Sequence, residues 1–386
     1  MKNKNLIPSL LYLISYGFVL IVMLFTQESQ YNSLFIANAN PTGDKLFKIS
    51  LMLVIIFQIG LRVTSRNLNR TFLVSLVIIL FLVNKIYQLK ILDTSIFLLA
   101  LLIINSDFVN GEEFLKFDFA IKLISISIIV VMSFMHLFPY VNNVLMYRNG
   151  VLRSSLGFVQ PNIAAGVILS CMLSYMLVKS KKLLRSIFIL MIFVLVGMLT
   201  DSRGFQISGI LIMIGYLINW EKSKISSKLI KFISIFLNLL APLISFFYVY
   251  NFNSTVSLWY KLDTLLSSRI SLQSEVVRIY PIKWIGQSVN LGTQSIWVNG
   301  WMRDAWVDNA YILVSLKYGL LGLFFILCFF ELATIRASRR KLLFLSVVFI
   351  ALGAHSLVEA QIFNLYMIAP LIYTFSQDKG ELMNAN

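Results

Sequence analysis

The chain has 386 residues, 58% of them hydrophobic and only 13% charged, with a mean hydropathy of +0.82. That leaves too little polar surface for a soluble globule and implies an integral membrane protein with the lipid bilayer as its surroundings. The formal net charge of +16 would suggest nucleic acid in a soluble protein; here basic loops held at an anionic membrane face account for it, and no nucleic-acid partner is expected.

A bilayer core about 30 Å thick takes about 20 helical residues to cross. About twelve apolar runs near that length follow one another, at approximately 6–25, 46–61, 71–84, 91–105, 119–138, 161–178, 183–200, 205–220, 229–250, 308–330, 341–353 and 357–376. The expected fold is all-α, a polytopic bundle of about twelve transmembrane helices forming one membrane domain over 1–386. A barrel would show short alternating segments instead. The first run lacks a small-residue cleavage site after it and reads as an uncleaved helix. The runs at 71–84 and 91–105 are short and separated only by Lys85–Lys90. Two spans or one re-entrant hairpin leave the sidedness downstream unchanged, whereas a single crossing would invert it. Cys171 and Cys328 both fall inside spans, which excludes a disulfide framework and a CxxC metal site.

The large interruption is 251–307, which reads as an extracytoplasmic loop. It holds Trp259, Trp284, Trp297, Trp301 and Trp306 of the chain's 6 Trp, rings suited to a membrane interface or to sugar faces. Within it, Ser268 is expected to cap a helix over 269–280 that Pro281 ends. Arg269 then stands in a first helical turn, beside free backbone N–H groups that favour a phosphate.

Lys and Arg are retained on the cytoplasmic side of short loops. With the N-terminus inside, Lys2, Lys4, Arg62, Arg66, Arg70, Lys116, Lys122, Lys179, Lys181, Lys182, Arg185, Lys222, Lys224, Lys228, Lys231, Arg336, Arg339, Arg340, Lys341 and Lys379 all fall inside, most of the 33 basic residues. Both termini are then cytoplasmic. Five patches mixing polar and charged residues fall together on the other side: Arg153–Asn162, Asp201–Gly204, the segment around Arg269–Gly286, Asp308–Tyr311 and His355–Glu359.

Each patch also has a plain structural reading. Arg153 could lie in the loop leading to a helix that starts at Pro161, with its head among lipid headgroups. Asp201 and Arg203 could pair across a tight turn. Asp308 could simply cap the span it opens. His355 and Glu359 are one helical turn apart and face the same way if that turn is helical. His136, near the end of its span, reads as a packing residue.

Together, RSSLGFVQPNIAAG, the DSRG turn after a span, SSRISLQSEVVRIYPIKWIGQ and DNAYILVSLKYGLLG resemble the Wzy-type bacterial polysaccharide polymerases, the O-antigen and capsule repeat-unit polymerases related to O-antigen ligases. The resemblance covers roughly residues 150–365 and rests on the order, spacing and sidedness of the motifs. It implies a GT-C-like membrane glycosyltransferase in the bacterial cytoplasmic membrane. Its substrates would be oligosaccharides on undecaprenyl pyrophosphate, the growing chain passing from its lipid onto a new lipid-linked repeat unit at the outer face. A flippase and a chain-length regulator would be its partners.

The residues suit that reaction. A departing lipid pyrophosphate gathers negative charge that fixed arginines stabilise bidentately, and Arg153, Arg203 and Arg269 are the candidates. The acceptor hydroxyl needs a general base: Glu359 ranks first because a low-dielectric mouth should raise its proton affinity, followed by His355 and Asp308. Asn162, Asn309, Tyr311 and Arg278 are further substrate-contact candidates. No metal and no cofactor are expected, since the leaving group is already activated. Two other readings share the chain: a ligase moving finished glycan to another acceptor, and a flippase or transporter of lipid-linked oligosaccharide. Transport is disfavoured by charge gathered at the rim instead of the membrane midplane.

Overall fold

A computed structural model describes residues 6–30, 42–63, 68–86, 94–136, 145–148, 150–178, 183–218, 227–292, 294–298 and 300–377. Of the basic residues used for orientation, Lys2, Lys4, Arg66, Lys179, Lys181, Lys182, Lys222, Lys224 and Lys379 lie outside these. The chain is an all-α membrane protein, and six of its described helices are long and apolar enough to cross a bilayer: Ile7–Glu28, Gly43–Val63, Gly111–Phe134, Pro161–Val178, Lys228–Asn251 and Ala310–Arg339. Five shorter apolar helices cover the predicted runs between them. The chain forms two compact units, the first comprising Met1–Ile79, Thr94–Asn219 and Asn364–Asn386, the second Leu80–Asp93 and Trp220–Phe363.

The first unit contains α1 (Leu6–Met23, extended by a π turn to Glu28), α2 (Thr42–Val63), the start of α3 (Leu68–Ile86), α4 (Thr94–Ile104) and α5 (Gly111–Phe134). A hairpin of β1 (Leu145–Arg148) and β2 (Val151–Ser154) comes next, then α6 (Pro161–Val178), α7 (Leu183–Thr200) and α8 (Arg203–Leu217). At one end, Arg62 at the close of α2 pairs with Asp107 just past α4 at 2.5 Å, and also donates to Asn105 at 2.9 Å. Arg70 at the start of α3 donates to the carbonyl of Ile104 at 2.6 Å. The ends of α2 and α4 therefore share a side with the start of α3.

Two expectations change. The run at 357–376 is not a continuous helix but two short 3-10 turns, Ala360–Phe363 and Leu365–Met367, followed by α14 (Ala369–Phe375). Its part in this unit still crosses from end to end. Asn364 donates to Glu28 at 3.1 Å, at the end where Ser29 bridges Phe158, and the Gln377 amide bonds the Val109 carbonyl at 3.2 Å beside the start of α5. Lys122 is no loop residue either. It lies in α5, fully buried, 2.7 Å from an equally buried Asp118 that also accepts hydrogen bonds from Tyr16 and Ser174. Two charges can lie inside a bundle only as such a paired, hydrogen-bonded group.

The second unit packs α9 (Ser227–Asn251), α12 (Ala310–Arg339) and α13 (Leu343–Ser356) against one another. Above one end lie α10 (Ser257–Leu265), α11 (Arg269–Ile279) and a hairpin of β3 (Ser295–Val298) and β4 (Trp301–Asp304). Val249, Val276, Val277, Ile296, Val298, Val307 and Ile312 form the core that fixes α11 and the hairpin to the helix ends. Helix α12 is broken at Gly319, where φ is 74° and ψ 177°. The freed amides of Leu320 and Leu321 bond the carbonyls of Lys283 (3.0 Å) and Trp284 (3.1 Å), so a loop segment docks into the break. A side chain at 319 would collide with that segment's backbone.

The buried pair gives a test. Asp118→Ala leaves an uncompensated Lys122 and should cost about 3–5 kcal/mol, read as loss of folded protein in detergent. Asp118→Leu combined with Lys122→Met should recover most of it. Equal stability of Asp118→Ala and wild type would show that the pair is not buried as described.

Candidate functional site

In the second unit three segments far apart in sequence converge on one guanidinium. Arg269 Nε lies 2.8 Å from Asp308 Oδ2, and its Nη1 and Nη2 both donate to Glu359 Oε1 at 3.1 Å. Nη1 also donates to the carbonyl of Val358. Side-chain exposure falls from 23% for Asp308 through 13% for Arg269 to 4% for Glu359, so the cluster has an accessible and an enclosed carboxylate. Burial alone would pull the arginine's pKa down; the charges of Glu359 and Asp308 and the hydrogen bond to Glu359 outweigh it, and the pKa stands above the ordinary arginine value. Arg269 is therefore a fixed cation.

Its position is set by a turn that differs from the one the sequence suggests. Helix α11 does begin at Arg269, but Ser268 does not cap it: Ser267 and Ser268 have φ of 60° and 61°, and Ser268 makes no side-chain cap bond. Asp263, 97% buried at the end of α10, accepts from the Ser271 amide at 2.9 Å and supplies the cap from outside the helix. Two successive non-glycine residues in the left-handed region are costly and persist only where the surroundings enforce them.

A second correction concerns Asp308. The N-cap of α12 is Asn309, whose Oδ1 accepts from the amides of Tyr311 (2.9 Å) and Ile312 (3.1 Å). Its Nδ2 donates to Ser245 at 2.8 Å and to the Leu357 carbonyl at 3.0 Å. Asn309 is thus a structural node, and Asp308 is left to meet Arg269. Tyr311 is buried and donates to the Gly353 carbonyl at 3.1 Å, joining α12 to α13. Its hydroxyl is already engaged. His355 is 99% buried in the last turn of α13, and the Glu359 amide bonds its carbonyl at 2.9 Å, so the expected helical turn between them exists. Arg278 lies at the far end of α11 and pairs with Glu275 at 2.9 Å on the surface, outside the cluster.

In the first unit the patches around Arg153 and Asp201 also meet. Arg153, on β2, donates through Nε to the Thr200 carbonyl at 2.7 Å and through Nη2 to Asn162. It satisfies an orphan carbonyl at the C-terminus of α7, where a cation is favoured. Asp201 and Arg203 do not form the ion pair that the turn allowed. Asp201 takes a left-handed φ of 42°, and Arg203 opens α8 with Nη1 buried and without a hydrogen-bond partner, as is the hydroxyl of Ser202. An apolar groove of about 630 Å³ runs between α7 and α8, lined by Phe193, Gly197, Phe205, Gly209 and Met213, and reaches Asp201.

Sequence reasoning missed both hairpins and Asp263. Both hairpins have a glycine in the left-handed region, Gly150 and Gly300 with φ of 81° and 83°, and the sequence at each reads Asn-Gly, the strongest short-range hairpin signal. No family model, curated protein or solved structure matches the chain.

The capping assignment is testable. Asn309→Ala removes a cap and two further hydrogen bonds and should lower the melting temperature clearly, the cap alone contributing about 1 kcal/mol. Asp308→Ala should shift it much less. The reverse order would restore Asp308 as the cap.

Proposed function

We propose that the chain is a glycosyltransferase that polymerises oligosaccharide repeat units carried on undecaprenyl pyrophosphate, working at the outer face of the bacterial cytoplasmic membrane with both termini inside. The observation that supports this best is the convergence of Arg269, Asp308 and Glu359 at one end of the second unit. An arginine there orients two carboxylates, one open and one enclosed, which suits proton removal from an acceptor hydroxyl. No metal is invoked, because the lipid pyrophosphate is a good leaving group.

The geometry reassigns the roles within this reading. Glu359 Oε1 is clamped by two N–H donors of Arg269 and its side chain is only 4% exposed, which leaves it poorly placed to meet an acceptor hydroxyl. The base is Asp308, the more exposed carboxylate; Glu359 anchors Arg269, and Arg269 is a positioning residue. Within the first unit, considered by itself, Arg203 suits an anion such as pyrophosphate, because its buried Nη1 and the neighbouring Ser202 hydroxyl have no protein partner at the N-terminus of α8. The groove between α7 and α8 that reaches the same turn suits an isoprenoid tail. Arg153 and Asn162 hold the turn in place.

In polymer formation by purified protein from lipid-linked repeat units, Asp308→Asn should cut turnover by about 10²–10⁴ with folding retained. Arg203→Ala should weaken donor binding, and Arg203→Lys should recover part of it. Wild-type turnover of Asp308→Asn would remove the base from Asp308; loss confined to Glu359→Gln would move it there. In the host, deletion should leave single repeat units on lipid. A ligase deletion would instead leave full-length lipid-linked polymer.

One observation favours transport as the second reading. Asp118, Lys122 and Glu331 lie inside helices and not at the rim, and ionisable groups there commonly mark translocation paths. Absence of repeat units from the outer face after deletion would establish it in place of polymerisation.

A further inference from the structure

The hairpin β3–β4 is built asymmetrically. Ile296 and Val298 of β3 are buried in the core of the second unit, while all four residues of β4 are exposed. Cross-strand pairing sets Trp297 opposite Met302 and Ser295 opposite Asp304, and pairs directly opposite project on one face. That face therefore carries, in adjacent rows, a Trp297 ring 67% exposed beside Met302 and a hydrogen-bonding pair in which Ser295 lies 3.3 Å from Asp304. Trp301, 72% exposed, pairs with Val298 and so projects on the opposite face at the tip. Large apolar side chains left open on a rigid scaffold mark a binding surface.

From these features we propose that the β3–β4 hairpin is a glycan-binding platform, on which the saccharide chain served by the Asp308 site lies extended; this rests on the glycosyl-transfer reading. A sugar ring has an apolar C–H face and a rim of hydroxyls, the pattern of an indole row followed by a Ser–Asp row. The platform is continuous with the site. Asp304 is four residues from Asp308, which extended backbone places at most about 13 Å apart, and Val307 shares the hairpin's core. A bilayer surface is the poorer occupant: the segment 295–304 carries one Arg and one Asp and no Lys, whereas surface docking draws on basic clusters. Asp304 would also be desolvated with Trp297.

The test is the length distribution of surface glycan made by full-length variants in the host. Trp297→Ala should lose the long chains while short products persist at normal protein level, and Trp297→Phe should restore part of the length. Arg269→Ala should abolish products of every length. A wild-type ladder from Trp297→Ala, with Arg269→Ala inactive, overturns the platform and leaves the enzymatic reading intact. A wild-type ladder from Arg269→Ala overturns the reading itself. For the bilayer alternative, a variant keeping only Trp297 is placed in nanodiscs containing brominated phosphatidylcholine. Unquenched fluorescence is expected, and strong quenching overturns the platform in favour of a membrane anchor.

Discussion

The second unit is organised around a single cation. Arg269 meets Asp308, Glu359 and the Val358 carbonyl, which come from the end of a loop, the connection after α13 and no common local structure. A guanidinium 13% exposed, among side chains as enclosed as Glu359, must find its counter-charges inside the protein, because water is not there to supply them. Removing the arginine would leave Glu359 buried without a cation; removing Glu359 would leave the arginine with the more solvated partner alone. The interaction therefore fixes where α11 begins, and the left-handed pair Ser267–Ser268 is the conformational cost of bringing it there.

The helices were legible because a bilayer demands long apolar runs, and composition alone displays them. The capping details were not. Asp308-Asn309 and Ser268-Arg269 both look like helix starts, the first with two residues able to cap and the second with Ser268 as the evident cap. The choice was made by tertiary partners: Ser245 and Leu357 hold the Asn309 amide, Arg269 claims Asp308, and Asp263 reaches the Ser271 amide. None of these pairings leaves a trace in local sequence. The Asn-Gly turns did leave one, and expecting only helices obscured it. Of the candidate site, the clustering of Arg269 with the carboxylates was foreshadowed by shared sidedness. Its internal arrangement, with the arginine consumed by carboxylates, was not.

The break at Gly319 is a consequence of the same membrane constraint. A continuous helix over Ala310–Arg339 would measure about 45 Å, well beyond a hydrocarbon core of about 30 Å, while the 20 residues after the break match it. Interrupting a helix frees backbone groups that lipid cannot satisfy, so the carbonyls of Lys283 and Trp284 must be brought in. The docking segment leads from α11 toward the hairpin. One break thus shortens the span and ties the loop to α12 ten residues beyond its Asn309 cap.

Charge balance then decides which arginine can receive an anion. With both carboxylates ionised, the Arg269 cluster sums to one negative charge, and a pyrophosphate approaching it would meet repulsion with no cation to spare. Arg203 stands differently: Asp201, two residues away, does not pair with it, its Nη1 has no protein acceptor, and the amides opening α8 add positive potential. An unsatisfied buried donor is expensive in the empty protein and becomes an advantage only when a ligand oxygen meets it.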